Sequence, residues 1–196
     1  MQYKLTDLFN KPISGEWGTE IKNDQKGVKV IRTTNFTNRG VLDLNNVVER
    51  NIDINKHKEK ILKNGDIIIE KSGGSPTKPV GRVVIFEENN NEQYLCNNFT
   101  AILRPRLEII PKFALYMMQN LYNKNKVLKF QNKTTGIINL KLNDYLNSTN
   151  VYVPDLKKQN KIVEVLDKIQ ELIYKRKTQI ESLDELVKSK FLGGCN

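Results

Sequence analysis

Three polar loops contain the side chains of this sequence that could do chemistry. They cover residues 32–35, 71–82 and 133–141, and each combines basic side chains with Ser, Thr or Asn. Arg, Lys and Asn can form hydrogen bonds with the edges of nucleic-acid bases, while Ser, Thr, Lys and backbone amides hold phosphates. Thr and Asn also form ordinary turns, so the interpretation rests on the loops rather than on single residues. The candidate DNA-binding residues are Arg32, Thr33, Asn35, Lys71, Ser72, Gly74, Lys78, Arg82, Lys133, Thr134, Thr135, Asn139 and Lys141.

The acidic residues do not form a recognisable hydrolytic site, which would need two carboxylates and a lysine around one divalent metal ion. The nearest match is Asp66, Glu70 and Lys71, but on a strand the adjacent Glu70 and Lys71 point to opposite faces. The glycine pairs at 73–74 and 193–194 lack the spacing of a phosphate-binding or dinucleotide-binding loop. The Pro-Pro-aromatic motif with which a DNA methyltransferase holds a flipped base is also absent from the sequence. We therefore predict a non-catalytic protein that binds no metal and no cofactor.

The two cysteines and the single histidine add no further chemistry. Cys96 lies in an apolar run and Cys195 is the penultimate residue, so they form neither a disulfide framework nor zinc-ligand spacing. We expect two reduced thiols. His57 lies in a lysine-rich stretch, and we expect its ring to be solvated.

The charge balance predicts a polyanionic partner. Lys and Arg total 32 against 22 acids, which gives a net charge of +10. No acid lies between Glu108 and Asp144, a stretch that holds six lysines, and another acid-free stretch covers residues 72–86. Both stretches are typical of phosphate-facing surfaces. No apolar run is long enough for a membrane span, and the N-terminus lacks the apolar core of a signal peptide, so we expect a cytoplasmic protein without membrane contact.

Short apolar runs separated by turn residues predict a mostly-β recognition domain with a few helices over residues 1–155. Residues 134–146 are expected to form a surface loop that enters another strand or helix. The predicted fold class is α+β. The candidate strands are residues 28–34, 66–71, 82–86 and 101–104.

One helix is predicted inside this domain, from Pro111 to Tyr122. Proline is favourable in a first helical turn, and the apolar residues that follow recur at helical intervals. We expect this stripe to lie in the core. Its members are Phe113, Tyr116, Met117 and Leu121.

Residues 156–192 are predicted to form one long helix, because the segment contains neither Pro nor Gly. Its apolar residues recur in alternating steps of four and three, which is typical of a coiled coil. A helix of this extent is roughly 50 Å long at 1.5 Å per residue, and we expect it to serve as a dimerisation and spacer element. Residues 193–196 form a tail. The coiled-coil seam consists of Ile162, Leu166, Ile169, Ile173, Arg176, Ile180, Leu183 and Val187.

An antiparallel pairing of two such helices fits the seam in one register. Sliding the helices by one heptad loses at least one layer and the apolar burial that accompanies it. We therefore expect a homodimer, with Arg176 beside the two-fold axis. In this register Leu166 faces Leu183, Ile173 faces Arg176, Ile180 faces Ile169, and Val187 faces Ile162.

Short segments spread over the whole chain occur in the order of one known family. They are residues 3–8, 29–34, 64–68, 81–82, 135–140 and 153–162, leading into Leu166-Asp167. In this order they resemble the specificity subunit of Type I restriction-modification enzymes, with one target-recognition domain followed by one conserved helical region.

The resemblance implies that the chain recognises double-stranded DNA for two partners. These are a methyltransferase subunit, which binds S-adenosylmethionine, and a motor-nuclease restriction subunit. Family members usually carry two recognition domains and two antiparallel helical regions, whereas this sequence contains one of each, as expected for a natural half-subunit or a truncated fragment. A homodimer would read a palindromic split site. A stand-alone endonuclease and a coiled-coil adaptor with a basic nucleic-acid-binding domain remain as alternatives.

Overall fold

The computed structural model describes residues 1–21, 26–75, 78–88, 90–134 and 137–192. Within these ranges the chain forms short strands, several single 3₁₀ turns and three α-helices, of which the last is by far the longest. The prediction of an α+β fold, mostly β and ending in a long helix, is confirmed. The strands are β1 (Gln2–Lys4), β2 (Ile13–Ser14), β3 (Val28–Ile31), β4 (Val48–Arg50), β5 (Ile67–Glu70), β6 (Ser72–Gly74), β7 (Val83–Ile85), β8 (Tyr94–Cys96), β9 (Thr100–Leu103), β10 (Gln131–Thr134), β11 (Ile137–Leu140) and β12 (Asn150–Tyr152). The helices are α1 (Pro111–Asn123), α2 (Leu142–Ser148) and α3 (Leu156–Leu192).

The central sheet has four antiparallel strands in the order β2-β9-β5-β7, and β5, β7 and β9 are buried throughout. All four residues of β5 are buried. Ile67 and Ile69 belong to the larger apolar cluster, which includes residues of α1, while Ile68 belongs to a second cluster that includes Ile31 of β3 and Cys96 of β8. Successive side chains of a strand point to opposite faces, so a strand between two apolar layers reads as an unbroken apolar run.

All four predicted strands are present, but each is shorter than predicted or shifted by one residue. Residues 28–34 form a strand only as far as Ile31 and then a 3₁₀ turn over Thr33–Asn35. A turn precedes β5, and Gly65 takes the left-handed backbone conformation there, with a φ of +89°. Next to it, the Asp66 carboxylate accepts a hydrogen bond of 2.8 Å from the backbone N–H of Lys63, which fixes the entry into β5.

Three smaller sheets surround the central one. One contains β4-β3-β8, with β3 parallel to β8, and a second contains β10-β11-β6. A third, two-stranded sheet pairs β1 with β12. There the amino group of Met1 donates to the carbonyl of Val153 at 2.8 Å, so the beginning of the described chain lies close to the beginning of α3.

The apolar stripe of α1 differs in part from the prediction. Phe113 is buried as expected, together with Ala114, Leu115 and Met118. Met117 and Leu121 pack at the margin of the core, and Tyr116 is only half-buried. The buried stripe is rotated relative to the predicted one because α3 packs along the side of α1 on which Tyr116 lies. Helix α1 therefore contacts both the central sheet and α3.

Helix α3 confirms the predicted long helix, and its first turns pack against the domain. Ile162 and Val163 contact the larger core cluster, whereas every side chain from residue 171 to 191 is exposed. Ile162, which is also a residue of the predicted seam, therefore packs against the edge of its own domain. Among the described residues, no helix is both long and apolar enough to cross a membrane.

Candidate nucleic-acid interface

The sheet β10-β11-β6 brings two of the three predicted polar loops together. Asn139 lies opposite Ser72, and Ile138 lies opposite Gly74, with a bulge between the two pairs. The Ser72 hydroxyl donates a hydrogen bond of 2.5 Å to Oδ1 of Asn139, and the backbone N–H of Leu140 donates to the carbonyl of Lys71 at 2.8 Å. Loops that are distant in sequence thus form one continuous polar surface.

Ser75 and Lys78 pair with each other at the end of β6. The backbones of Ser75 and Lys78 exchange two hydrogen bonds of 2.9 and 3.1 Å, and the Ser75 hydroxyl accepts a further bond from the Lys78 N–H at 3.1 Å. Gly74 makes this close approach possible, because a Cβ atom there would lie 2.7 Å from the carbonyl oxygen of Lys78. Gly74 therefore allows the backbone of Lys78 to approach β6, and the Lys78 side chain is exposed.

Lys71 links this sheet to the edge of the central sheet. Its ammonium group donates to the hydroxyl of Ser14 at 2.6 Å, and burial lowers the pKa of Lys71. The backbone N–H groups of Lys71 and Ser72 both donate to the carbonyl of Phe99, at 2.9 and 3.1 Å, and the Phe99 ring is 43% exposed. The sequence reasoning missed Ser14 and Phe99, because their strand partners are distant along the chain.

Lys141 is exposed where β11 leads into α2, and its backbone N–H donates to the carbonyl of Phe130 at 2.9 Å. Lys133 and Thr134 lie opposite Ile138 and Ile137 in the backbone register of the sheet. Thr135 lies outside the described residues. The expected loop at 134–146 is therefore largely regular, because β11 and α2 occupy most of it.

Arg82 forms an ion pair with the buried carboxylate of Glu70 in the central sheet. Its guanidinium group forms two hydrogen bonds with the Glu70 carboxylate, at 3.0 and 3.1 Å, and a longer one of 3.4 Å to the carbonyl of Thr33. Glu70 is 5% exposed, and its hydrogen bond raises the pKa of Arg82. Arg82 thus connects the central sheet to the loop at 32–35.

Asn35 is buried, with 3% of its surface exposed. Its Oδ1 accepts from the N–H of Arg32 at 2.9 Å, and its Nδ2 donates to the carbonyls of Asp43 and Asn46 at 3.0 and 3.3 Å. Its amide is thus fully used inside the fold, so we remove Asn35 from the candidate DNA-binding residues. Arg32 and Thr33 remain half-buried at the same loop.

The acids considered for a metal site are paired with arginines instead. Asp66 is 1% exposed and accepts two hydrogen bonds of 2.8 Å from Arg104, while Glu70 is held by Arg82. Within the described ranges, no group of three or more His, Cys, Asp and Glu side chains is arranged to hold a metal ion. His57 is half-buried, and its Nδ1 lies 4.0 Å from a carboxylate oxygen of Glu16.

Comparison with known protein families identifies the family of this chain. The model of the Type I restriction modification DNA specificity domain matches residues 1–182. The chain belongs to this family. A Haemophilus influenzae protein, named as a type I restriction enzyme specificity subunit, is 32% identical to this specificity domain over 117 residues, which are 60% of the chain and 27% of that protein.

Solved structures support the fold of this specificity domain. It matches 43% of a chain from a structure of type I R-M complex assembly and conformational transition, with a TM-score of 0.69, 18% identity and 96% of the domain covered. The HsdS subunit from Thermoanaerobacter tengcongensis matches with a TM-score of 0.63 and 19% identity, covering 91% of this chain and 39% of its own. The type I S subunit from M. genitalium gives a TM-score of 0.58 at 16% identity, over 95% and 43% of the two chains. The chain therefore spans less than half the length of these relatives.

Proposed function

We propose that this chain is the DNA-recognition unit of a Type I restriction-modification system, acting in the cytoplasm to direct a methyltransferase and a nuclease to a split site. The observation that carries the proposal is the polar surface built on β10-β11-β6, on a chain whose family is that of DNA specificity domains. We call this surface the hairpin surface and define it as Lys71, Ser72, Lys78, Asn139 and Lys141.

The chemistry of the hairpin surface suits duplex DNA. Lys78 and Lys141 are exposed cations that can neutralise phosphates. Ser72 and Asn139, bonded to each other and half-buried, are polar side chains of the types that read base edges. Residues 1–156 carry 23 basic and 16 acidic side chains, so most of the net positive charge that attracts DNA lies in this part of the chain.

In this proposal the chain recognises DNA and catalyses no reaction. The methyl group would come from S-adenosylmethionine bound by the partner methyltransferase, and the chain itself would need no cofactor. Its contribution is to hold the partner at one sequence rather than another.

We further propose that two copies pair through α3 in antiparallel fashion. Ile173, Ile180, Leu183 and Val187 are 53 to 59% exposed, which is unfavourable for a helix that stays alone in water. Our proposal keeps three layers of the register expected from the sequence, which are Leu166–Leu183, Ile169–Ile180 and Ile173–Arg176. The layer of Ile162 and Val187 is modified, because Ile162 already contacts its own domain.

The test is methyl transfer to duplex DNA by the purified chain together with its methyltransferase subunit and labelled S-adenosylmethionine. We expect methylation to require the chain and to fall at least tenfold in the double variant Lys78→Ala/Lys141→Ala. Lys188→Ala, which removes an equally exposed charge from the far end of α3, is the matched control and should retain activity.

Two outcomes would contradict the proposal. Cleavage of plasmid DNA by the chain alone with magnesium would assign it to the endonucleases. Equal, weak binding to all duplexes, even with the methyltransferase present, would favour an adaptor that binds nucleic acid without reading it.

A further inference from the structure

Apart from the contact of Ile162, helix α3 is attached to the domain along a stripe that is separate from its apolar seam. Gln159, Val163, Asp167, Gln170 and Tyr174 follow one another at steps of three and four, so they lie on one side of the helix. At about 100° per residue, the seam lies roughly a third of a turn away from this stripe. The helix can therefore contact its own domain and a second helix at the same time.

Asp167 lies at the centre of this stripe, and both of its carboxylate oxygens are held by α1. The hydroxyl of Tyr116 donates to Oδ1 at 2.5 Å, and the ammonium group of Lys112 donates to Oδ2 at 3.1 Å. Burial and the bond to Asp167 raise the pKa of Tyr116, so this hydroxyl keeps its proton. Two donors on successive turns of one helix fix the position of α3 and its rotation.

The ends of the stripe are held differently. Gln159 is 1% exposed and is bonded to the carbonyls of Glu108 and Pro154 and to the N–H of Ile110, so the first turn of α3 is anchored firmly. At the other end, the guanidinium group of Arg39 lies 4.6 Å from the ring centre of Tyr174, which is 52% exposed.

The interface between these ends is loosely filled. A cavity of about 230 Å³ is lined by Thr37, Gln119 and Gln170, and another of about 250 Å³ is lined by Tyr116, Asp167 and Gln170. The apolar contacts of α3 with the core cluster are made by Ile162 and Val163, close to the start of the helix. From Asp167 to Tyr174 the direction of the helix therefore depends mainly on polar contacts, of which those of Asp167 are the first.

A small change of direction at Asp167 has a large effect at the end of α3. The helix continues for about 37 Å beyond this residue at 1.5 Å per residue, so a tilt of about 10° moves its end by roughly 6 Å. Base pairs are stacked about 3.4 Å apart, so this displacement equals nearly two base pairs.

We propose that Asp167, held by Lys112 and Tyr116, is a positioning residue that sets the number of base pairs between the two half-sites. This rests on the proposed function, because the direction of α3 affects the site only if α3 joins two recognition domains. Half-site sequence would be read by the domains, and half-site spacing would depend on this contact.

The first test measures the direction of α3 without DNA. Spin labels are placed on Lys56→Cys and Lys188→Cys in a Cys195→Ser background, and the labelled chain is diluted in unlabelled chain so that only distances within one chain are seen. Cys96 is fully buried and burial raises its pKa to about 11, so it does not take up label. We expect pulsed electron paramagnetic resonance to show one narrow distance distribution, which becomes at least twofold broader in Asp167→Ala.

Two further variants separate positioning from simple destabilisation. Asp167→Asn keeps an acceptor for Tyr116 but loses the charge facing Lys112, so its distribution should be intermediate in width. Asp184→Ala removes an exposed acid from the same helix and should leave the width unchanged. An unchanged width in Asp167→Ala would overturn the proposal, and so would a lower melting temperature with no broadening.

The second test reads the spacer directly, by sequencing methylated DNA from cells that contain the chain and its methyltransferase. The original chain should give one spacer length, and Asp167→Ala should give at least two neighbouring lengths with the same half-sites. A single unchanged spacer in Asp167→Ala would reject the positioning role. If the original chain marks no split motif, the proposed function fails, while the spin-label distances still report on the contact itself.

Discussion

At the scale of single residues, the polar side chains of the described chain divide into those that hold the fold and those that face solvent. Arg82 and Asn35 belong to the first group, because their hydrogen bonds end inside the domain. Lys78 and Lys141 belong to the second. This division, rather than residue type alone, decides which side chains can reach DNA.

Arg82→Ala should destabilise the domain strongly. The substitution leaves the carboxylate of Glu70, which is 5% exposed, without its partner, and an unpaired buried charge costs about 3 kcal/mol. The free energy of unfolding, measured in urea, reports this loss. Lys175→Ala is the control, since its partner Glu171 is exposed and the loss of such a surface pair should change the free energy of unfolding little. A variant at Arg82 that keeps full stability but loses DNA binding would contradict this assignment and support a direct role of Arg82 in DNA binding.

Glu16 should make part of the stability dependent on acidic pH. The hydrogen bond from Lys60, at 2.7 Å, holds the pKa of Glu16 below its ordinary value of 4.5. Its contribution is therefore complete above the unfolded-state pKa and is lost as the pH falls through the lower folded-state pKa. Urea unfolding between pH 3 and 7 should show a smaller acid loss for Glu16→Gln than for Glu20→Gln, which changes an exposed acid. Identical pH profiles for the two variants would contradict this assignment.

The sequence predicts the burial of apolar runs better than the burial of single polar residues. The run Ile67-Ile68-Ile69 between a glycine turn and a glycine pair identifies a buried strand, because the signal is local. The burial of Asn35 depends on the backbone at Asp43 and Asn46, and the pairing of Arg82 depends on Glu70 across the sheet. Contacts of this kind follow from the packing of segments and have no local pattern.

At the scale of elements, the hairpin surface is the feature that local patterns could not give. The loops at 71–82 and 133–141 were each recognisable as basic and polar, but their meeting requires β11 to pair with β6, with a bulge between Ile138 and Asn139. The long helix α3 was predictable, since a segment without Pro or Gly and with a regular apolar repeat has few other structures. The contact between α3 and α1 was not predictable from the sequence, because both helices also have other apolar neighbours.

Gln159→Ala should loosen the start of α3. It removes three hydrogen bonds from a side chain that is 1% exposed and leaves two backbone carbonyls and one N–H without that partner, at a cost of about 2–3 kcal/mol. Gln179→Ala, on the exposed part of the same helix, should change the unfolding free energy by less than about 0.5 kcal/mol. Equal, small effects at both positions would show that Gln159 does not anchor the helix.

The antiparallel register of α3 makes a direct prediction for crosslinking. In a Cys195→Ser background, cysteines at Leu166 and Leu183 of two chains should form an intermolecular disulfide, because these positions face each other in the proposed dimer. The products can be counted by mass after separation without reducing agent. Chains joined only from 166 to 166 would contradict the antiparallel arrangement.

At the scale of the whole molecule, the structure combines one recognition domain with one projecting helix of about 55 Å. The family match covers residues 1–182, so it includes the domain and most of the helix. If two copies pair through α3, each domain reads the same sequence in opposite directions, and the recognised site must be two-fold symmetric with a gap. This symmetry follows from the pairing alone and does not depend on which bases are read.

The recognition of a split DNA site by this chain can be measured by sequencing methylated bases in DNA from cells that contain the chain and its methyltransferase subunit. We expect one palindromic split motif, with two identical half-sites and a fixed gap, that is present with the chain and absent without it. A motif that persists when the chain is removed, or DNA with no methylated motif although both proteins are present, would contradict the proposed DNA-recognition role.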